Sequence, residues 1–82
     1  MTIYRIIKIK GDYARRIGWW VRNMYRMEFD RFTWDNLGWK YVKERLSGWT
    51  IWYVTTEEDY AKAIETLNDL QKTHLFVYEV MD

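Results

Sequence analysis

Tyr4, Trp39, Tyr41, Trp49, Ile51 and Tyr53 are large flat or apolar side chains, and Lys8, Lys43 and Arg45 are cations interleaved with them. Rings can stack on unpaired bases while cations meet phosphates, so this set could bind single-stranded nucleic acid, RNA or DNA. Aromatic and Arg anchors serve protein interfaces equally well. A protein partner is therefore the competing reading, with the chain as a small inhibitor or adaptor of the phage or mobile-element type. A second group, Arg15, Trp19, Arg22 and Arg26, shares one side of a helical wheel. It forms either a secondary basic face for phosphates or an ordinary solvated surface.

Covalent chemistry is not expected. The single His74 has no Ser, Cys or Asp that the sequence can place beside it, and a lone His is far more often structural than catalytic. Glu57, Glu58 and Asp59 sit where a helix should begin, and acidic groups there already meet the helix dipole favourably. No phosphate-loop, zinc or dinucleotide pattern occurs. The chain is thus read as non-enzymatic, with no cofactor and no metal.

The elements that position these residues must fit in 82 residues, enough for one domain. There is no Cys to supply a disulfide, so six Trp and seven Tyr must provide much of the buried area. Residues 1–46 hold 11 Lys/Arg against 5 Asp/Glu, and residues 47–82 hold 2 against 7. A half at +6 and a half at −5 suggest an anionic partner for one surface, or two halves that attract each other. MTIYRIIKIK has charges among its apolar residues, unlike a signal peptide, and no run is long enough to span a membrane. The expectation is a cytoplasmic protein with no membrane partner.

Residues 2–9 alternate and are β-branched, which predicts a strand. Tyr13, Ile17, Trp20, Val21, Met24 and Met27 recur at helical spacing and predict a helix over 13–28, within which Gly18 could allow close approach to a sheet. DRFTWDNLG, residues 30–38, carries turn chemistry. WKYVKERL, residues 39–46, reads two ways. As a helix from Asp35 it buries Leu37, Tyr41 and Val42; as a strand it forms a hairpin across Ser47-Gly48 with Trp49–Thr55. The need of that strand for a neighbour favours the hairpin. Thr55 or Thr56 with Glu58 or Asp59 opens a helix that runs to about Thr73, and residues 74–80 close as a strand.

The order β-α-β-β-α-β predicts an α+β, ferredoxin-like domain, a four-stranded antiparallel sheet with two helices on one face. Alternation then leaves the other face open, bearing Tyr4, Ile6, Lys8, Trp39, Tyr41, Lys43, Arg45, Trp49, Ile51, Tyr53, Leu75 and Val77. So large an apolar patch implies use by nucleic acid, by a protein, or by a second copy in a homodimer.

GWTIWYVTTEEDYAKAIETLN, residues 48–68, resembles the third strand and second helix of the RNA-recognition motif domain. The match runs through Gly48, Trp49, Thr50, Ile51 and Trp52, then Glu57, Glu58, Asp59, Lys62, Ala63, Ile64, Leu67 and Asn68. The resemblance implies base stacking on Trp49 and Tyr4. GWWVRN, residues 18–23, is similar to a GWVxN segment of acylphosphatases, enzymes of the same topology, and would give Asn23 a water-positioning role. Those enzymes also use a glycine-rich phosphate loop, where KGDYARR has one glycine, and GWWVRN lies within the predicted helix. Binding is therefore expected rather than hydrolysis.

Overall fold

Ile7 and Ile9 alternate with Lys8 and Lys10, and in the computed structural model, which describes residues 2–81, they lie on strand β1 (Arg5–Gly11). Gly11 ends the strand at φ 144°, where a Cβ would come within 2.8 Å of backbone at Leu75 and Phe76. Only glycine fits there. Helix α1 (Ala14–Trp20) follows and buries Ala14, Ile17 and Gly18.

The helix predicted over 13–28 stops at Trp20. Val21 is extended, and Asn23 adopts a left-handed φ of 64°, a conformation that Asn tolerates better than most residues. The chain then returns as a two-residue strand, β2 (Tyr25–Arg26). Val21, Met24 and Met27 are buried as the periodicity requires, but a turn and a strand bury them instead of a helix.

DRFTWDNLG contains a helix, α2 (Arg31–Asn36), where turn chemistry suggested a loop. Asp30 caps it: its side chain accepts from the Thr33 N–H at 2.9 Å. The fully buried Thr33 in turn donates its hydroxyl to the Glu28 carbonyl. WKYVKERL forms helix α3 (Trp39–Leu46), so the helical alternative holds and the hairpin does not. Strand β3 (Thr50–Val54), helix α4 (Glu57–Leu70) and strand β4 (Phe76–Met81) complete the chain. Thr56 caps α4 by accepting from the Asp59 N–H at 3.0 Å.

The four strands are antiparallel in the order β2-β3-β1-β4. This is the ferredoxin-like arrangement, with α2 and α3 inserted between its second and third strands. α1 and α4 share one sheet face, as expected. Their core joins Ile7, Ile9, Ile17, Trp52, Val54, Ala63 and Leu67.

The opposite face is not open. α2 and α3 lie over it and form a second core from Met27, Tyr41, Ile51, Tyr53 and Met81, with Phe32, Leu37 and Val42 packed alongside. The physical reason is area. Ile51 and Tyr53 on every second position of β3 are too apolar to leave wet, and the inserted helices cover them more fully than a hairpin strand could. Tyr41 anchors the cover, with 5% of its surface exposed and its hydroxyl donating to the Met27 carbonyl at 3.1 Å. The cap of α2 supports the same layer. Asp30→Ala should lower stability by about 1 kcal/mol in a urea titration, while Asp30→Asn, which keeps the acceptor, should stay within a few tenths.

Candidate functional site

The residues expected on an open aromatic sheet separate into four environments. Tyr41, Ile51 and Tyr53 are buried beneath α2 and α3 and offer no platform. Tyr4 precedes β1, where the chain bends and strand alternation no longer applies. Its ring turns to the α4 side and packs on Tyr60 with centroids 5.8 Å apart. Trp39 projects outward from α3, 69% exposed, edge-on to Trp34 at 5.8 Å. Trp34 in turn meets Phe29 at 6.2 Å. Lys43 is exposed on the same helix.

Trp49, Lys8 and Arg45 do come together. The α3–β3 turn carries Trp49 to the end of the sheet, where it packs on the edge of the second core. Lys8 reaches Trp49 from β1, its Nζ 4.4 Å from the ring centroid, and Lys10 lies 5.5 Å from the same ring. These are cation–π distances. Lys8 is not available to a phosphate, because it bonds Glu44 of α3 at 2.8 Å and Glu79 of β4 at 3.3 Å.

The Glu44 hydrogen bond, with help from Glu79, holds the Lys8 pKa above the usual lysine value, although burial pulls the other way. An upward shift means that this tie stabilises the fold fully below the ordinary lysine pKa of about 10.4. It is lost as pH rises through the elevated value. Around neutrality Lys8 therefore acts as a permanent strut between the sheet and α3.

Beside Trp49 opens a cleft of about 420 Å³. Gly11, Asp12, Arg15 and Arg16 line it from the β1–α1 side, and Arg45, Gly48 and Trp49 from the α3–β3 side. Among the described residues, Arg15, Arg16, Arg45 and Lys10 have no carboxylate within 4.0 Å, unlike Lys8, Arg26, Arg31, Lys62 and Lys72. Three arginines without a carboxylate partner among the described residues thus line the cleft with Trp49, and Lys10 lies beside it; Arg45 also approaches the Tyr41 ring at 5.9 Å, and Asp12 is the only acid in the lining. Gly48 turns the chain at φ 93°, and a Cβ there would touch Lys10 Cε at 3.4 Å.

The basic stripe expected on one helix is dispersed. Arg15 joins the cleft, Trp19 is exposed, and Arg22 lies past the end of α1. Arg26 is on β2, with its Nε 3.5 Å from Glu28. Arg16 in the cleft lining and Lys10 beside Trp49 are not among the residues expected from the sequence. Lys10 could have been found, since it alternates with Lys8 and so shares the sheet face of Trp49.

Among the described residues, no group of three or more His, Asp or Glu is placed to hold a metal ion, and no helix is long and apolar enough to cross a membrane. Comparison with protein-family models, curated proteins and solved structures finds no match to this chain.

Proposed function

We propose that this protein acts by non-covalent binding and that the Trp49 cleft takes single-stranded nucleic acid. The observation that carries the reading is that Arg15, Arg16 and Arg45, none paired with an acid among the described residues, line one cleft with Trp49, while the likewise unpaired Lys10 lies 5.5 Å from its ring. Left to itself such a cluster repels; phosphates relieve that repulsion and release counterions. Lys8 stays tied at 4.4 Å from the ring, whereas exposed Lys10 at 5.5 Å has no carboxylate partner among the described residues, and a base that displaces its ammonium from Trp49 gains about 1–3 kcal/mol of stacking. The binding set is accordingly narrower than the sheet face first expected. It keeps Trp49 and Arg45, adds Lys10, Arg15 and Arg16, and leaves out Tyr4, Tyr41, Ile51 and Tyr53.

Fluorescence anisotropy of labelled RNA and DNA strands of about ten nucleotides tests this. Binding should appear at low salt and fall with a log–log slope near −3, about 0.7 per neutralised phosphate for four cations. Trp49→Ala should weaken it roughly tenfold or more without unfolding the domain. No binding at low salt would refute the proposal.

A second reading rests on a different surface. Phe29, Trp34 and Trp39 form an exposed run of edge-to-face rings outside α2 and α3, a composition suited to a protein interface. If a protein is the partner, its capture should survive nuclease treatment and be lost in Trp39→Ala, with the Trp49 cleft unaffected.

A further inference from the structure

The two edges of the sheet are finished differently. On one side β2 has only two residues, short enough to be a poor template for another strand. On the other, β4 presents six residues with no Pro or Lys and one charge, Glu79. Its outward backbone groups follow from the ladder. The Met27 N–H bonds the Ile51 carbonyl, so Ile51 and Tyr53 direct their backbone groups toward β2. Alternation then turns Trp52 toward β1, Lys8 and Lys10 toward β4, and the backbone groups of Phe76, Tyr78 and Val80 outward. Gln71 Nε2 donates to the Phe76 carbonyl at 3.2 Å, which agrees with that phase. No described residue pairs with the backbone of Tyr78 or Val80 on this side.

We propose that β4 pairs with β4 of a second copy, antiparallel across a two-fold axis at Tyr78, making one eight-stranded sheet. The strand is self-complementary in this register. Tyr78 faces Tyr78 of the other copy, Phe76 faces Val80, Val77 faces Glu79, and Leu75 faces Met81. Every outward backbone group is then used, the Phe76 carbonyl through its second lone pair. Leu75 and Val77, now 84% and 54% exposed, gain apolar or aliphatic neighbours. Sliding by one pair to place Glu79 against Glu79 would oppose like charges, which disfavours that alternative. The proposal is independent of what the cleft binds, since β4 contributes nothing to the cleft lining.

Position 77 gives a test whose sign depends on the register. Val77→Glu places a second carboxylate opposite Glu79 twice per dimer, and Val77→Lys places an ammonium there. Lys10 faces position 77 within each chain, in monomer and dimer alike, so its effect largely cancels from the association constant. In sedimentation equilibrium of the full chain, wild type should show a concentration-dependent dimer. Val77→Glu should weaken it about tenfold and Val77→Lys should tighten it a few-fold. Amide exchange at Tyr78 and Val80 should slow as concentration rises. A wild type that stays monomeric to millimolar concentration would overturn the proposal, and so would a dimer that both substitutions weaken or that neither changes.

Discussion

Gly18→Ala should destabilise the domain by about 3 kcal/mol or more, visible as a large drop in urea midpoint. Helix propensity alone gives the opposite sign, since Ala is favoured over Gly by about 1 kcal/mol in a helix interior. The structure reverses it. Gly18 lies on the buried face of α1 against the indole of Trp52, and a Cβ built there falls well inside van der Waals contact of three ring carbons. Trp52 is only 3% exposed and sits beside Ile7 on β1 and Arg26 on β2, so the ring can yield only by shifting into the cavity of about 230 Å³ that it lines with Gly18, Val21 and Met24, at the cost of its packing in the core. Overpacking of this kind typically costs 1–3 kcal/mol, and more when an aromatic ring must move. For a domain of this size total stability is on the order of 4–12 kcal/mol, so the variant should sit near the edge of folding. A Gly18→Ala protein as stable as wild type would mean that α1 does not approach the sheet this closely.

Reversing two cleft charges should abolish most binding while leaving the fold intact. In Arg15→Glu/Arg45→Glu, affinity for a single strand should fall roughly 30- to 100-fold at low salt, and the salt slope should lose more than one unit. Neither arginine has a carboxylate partner among the described residues, and the contact of Arg45 with the Tyr41 ring at 5.9 Å is worth about 0.5–1 kcal/mol, so circular dichroism should be unchanged and the urea midpoint should fall only slightly. The proper control is Lys62→Glu/Lys72→Glu on the α4 side, which changes net charge by the same amount. Those lysines already pair with Glu58 and Asp69. If the control weakens binding as much as the cleft variant, net charge and not the cleft governs affinity.

The parts of the fold that were legible in the sequence are those where one local signal dominates. Alternation of Ile7, Ile9 and the lysines placed β1, and Thr56 with the stripe Ala63, Leu67 and Leu70 placed α4. The role foreseen for Gly18, close approach to a sheet, also holds. The misread segments are those where two physical solutions satisfy one pattern. Ile17, Val21, Met24 and Met27 are equally well buried by a long helix or by a helix, an Asn23 turn and a strand. WKYVKERL buries Tyr41 as a helix and would alternate as a strand; the need to cover Ile51 and Tyr53 decided between them, and that need is tertiary. In DRFTWDNLG the informative residue was Asp30, a good N-cap hidden among residues that also favour turns.

The candidate site shows the same division. Trp49 and Arg45 were grouped by strand alternation in a hairpin that does not form; they still meet because both flank the short turn between α3 and β3. That Arg15 and Arg16 would face them across a cleft was not legible, because those residues are some thirty positions away and their meeting depends on where β1 and β3 end. Lys8 was legible as a cation near Trp49 but not as one neutralised by Glu44 and Glu79.

The most direct measurement is an amide and indole NMR titration of the intact chain with an unlabelled ten-nucleotide single strand at low salt. The expected result is a saturable shift of the Trp49 indole N–H and of the Gly11, Arg15, Arg16 and Gly48 amides, with the Ile51 and Tyr53 amides nearly still. Shifts centred on Trp34 and Trp39, or no saturable shift anywhere, would contradict the assignment of the cleft as the binding site.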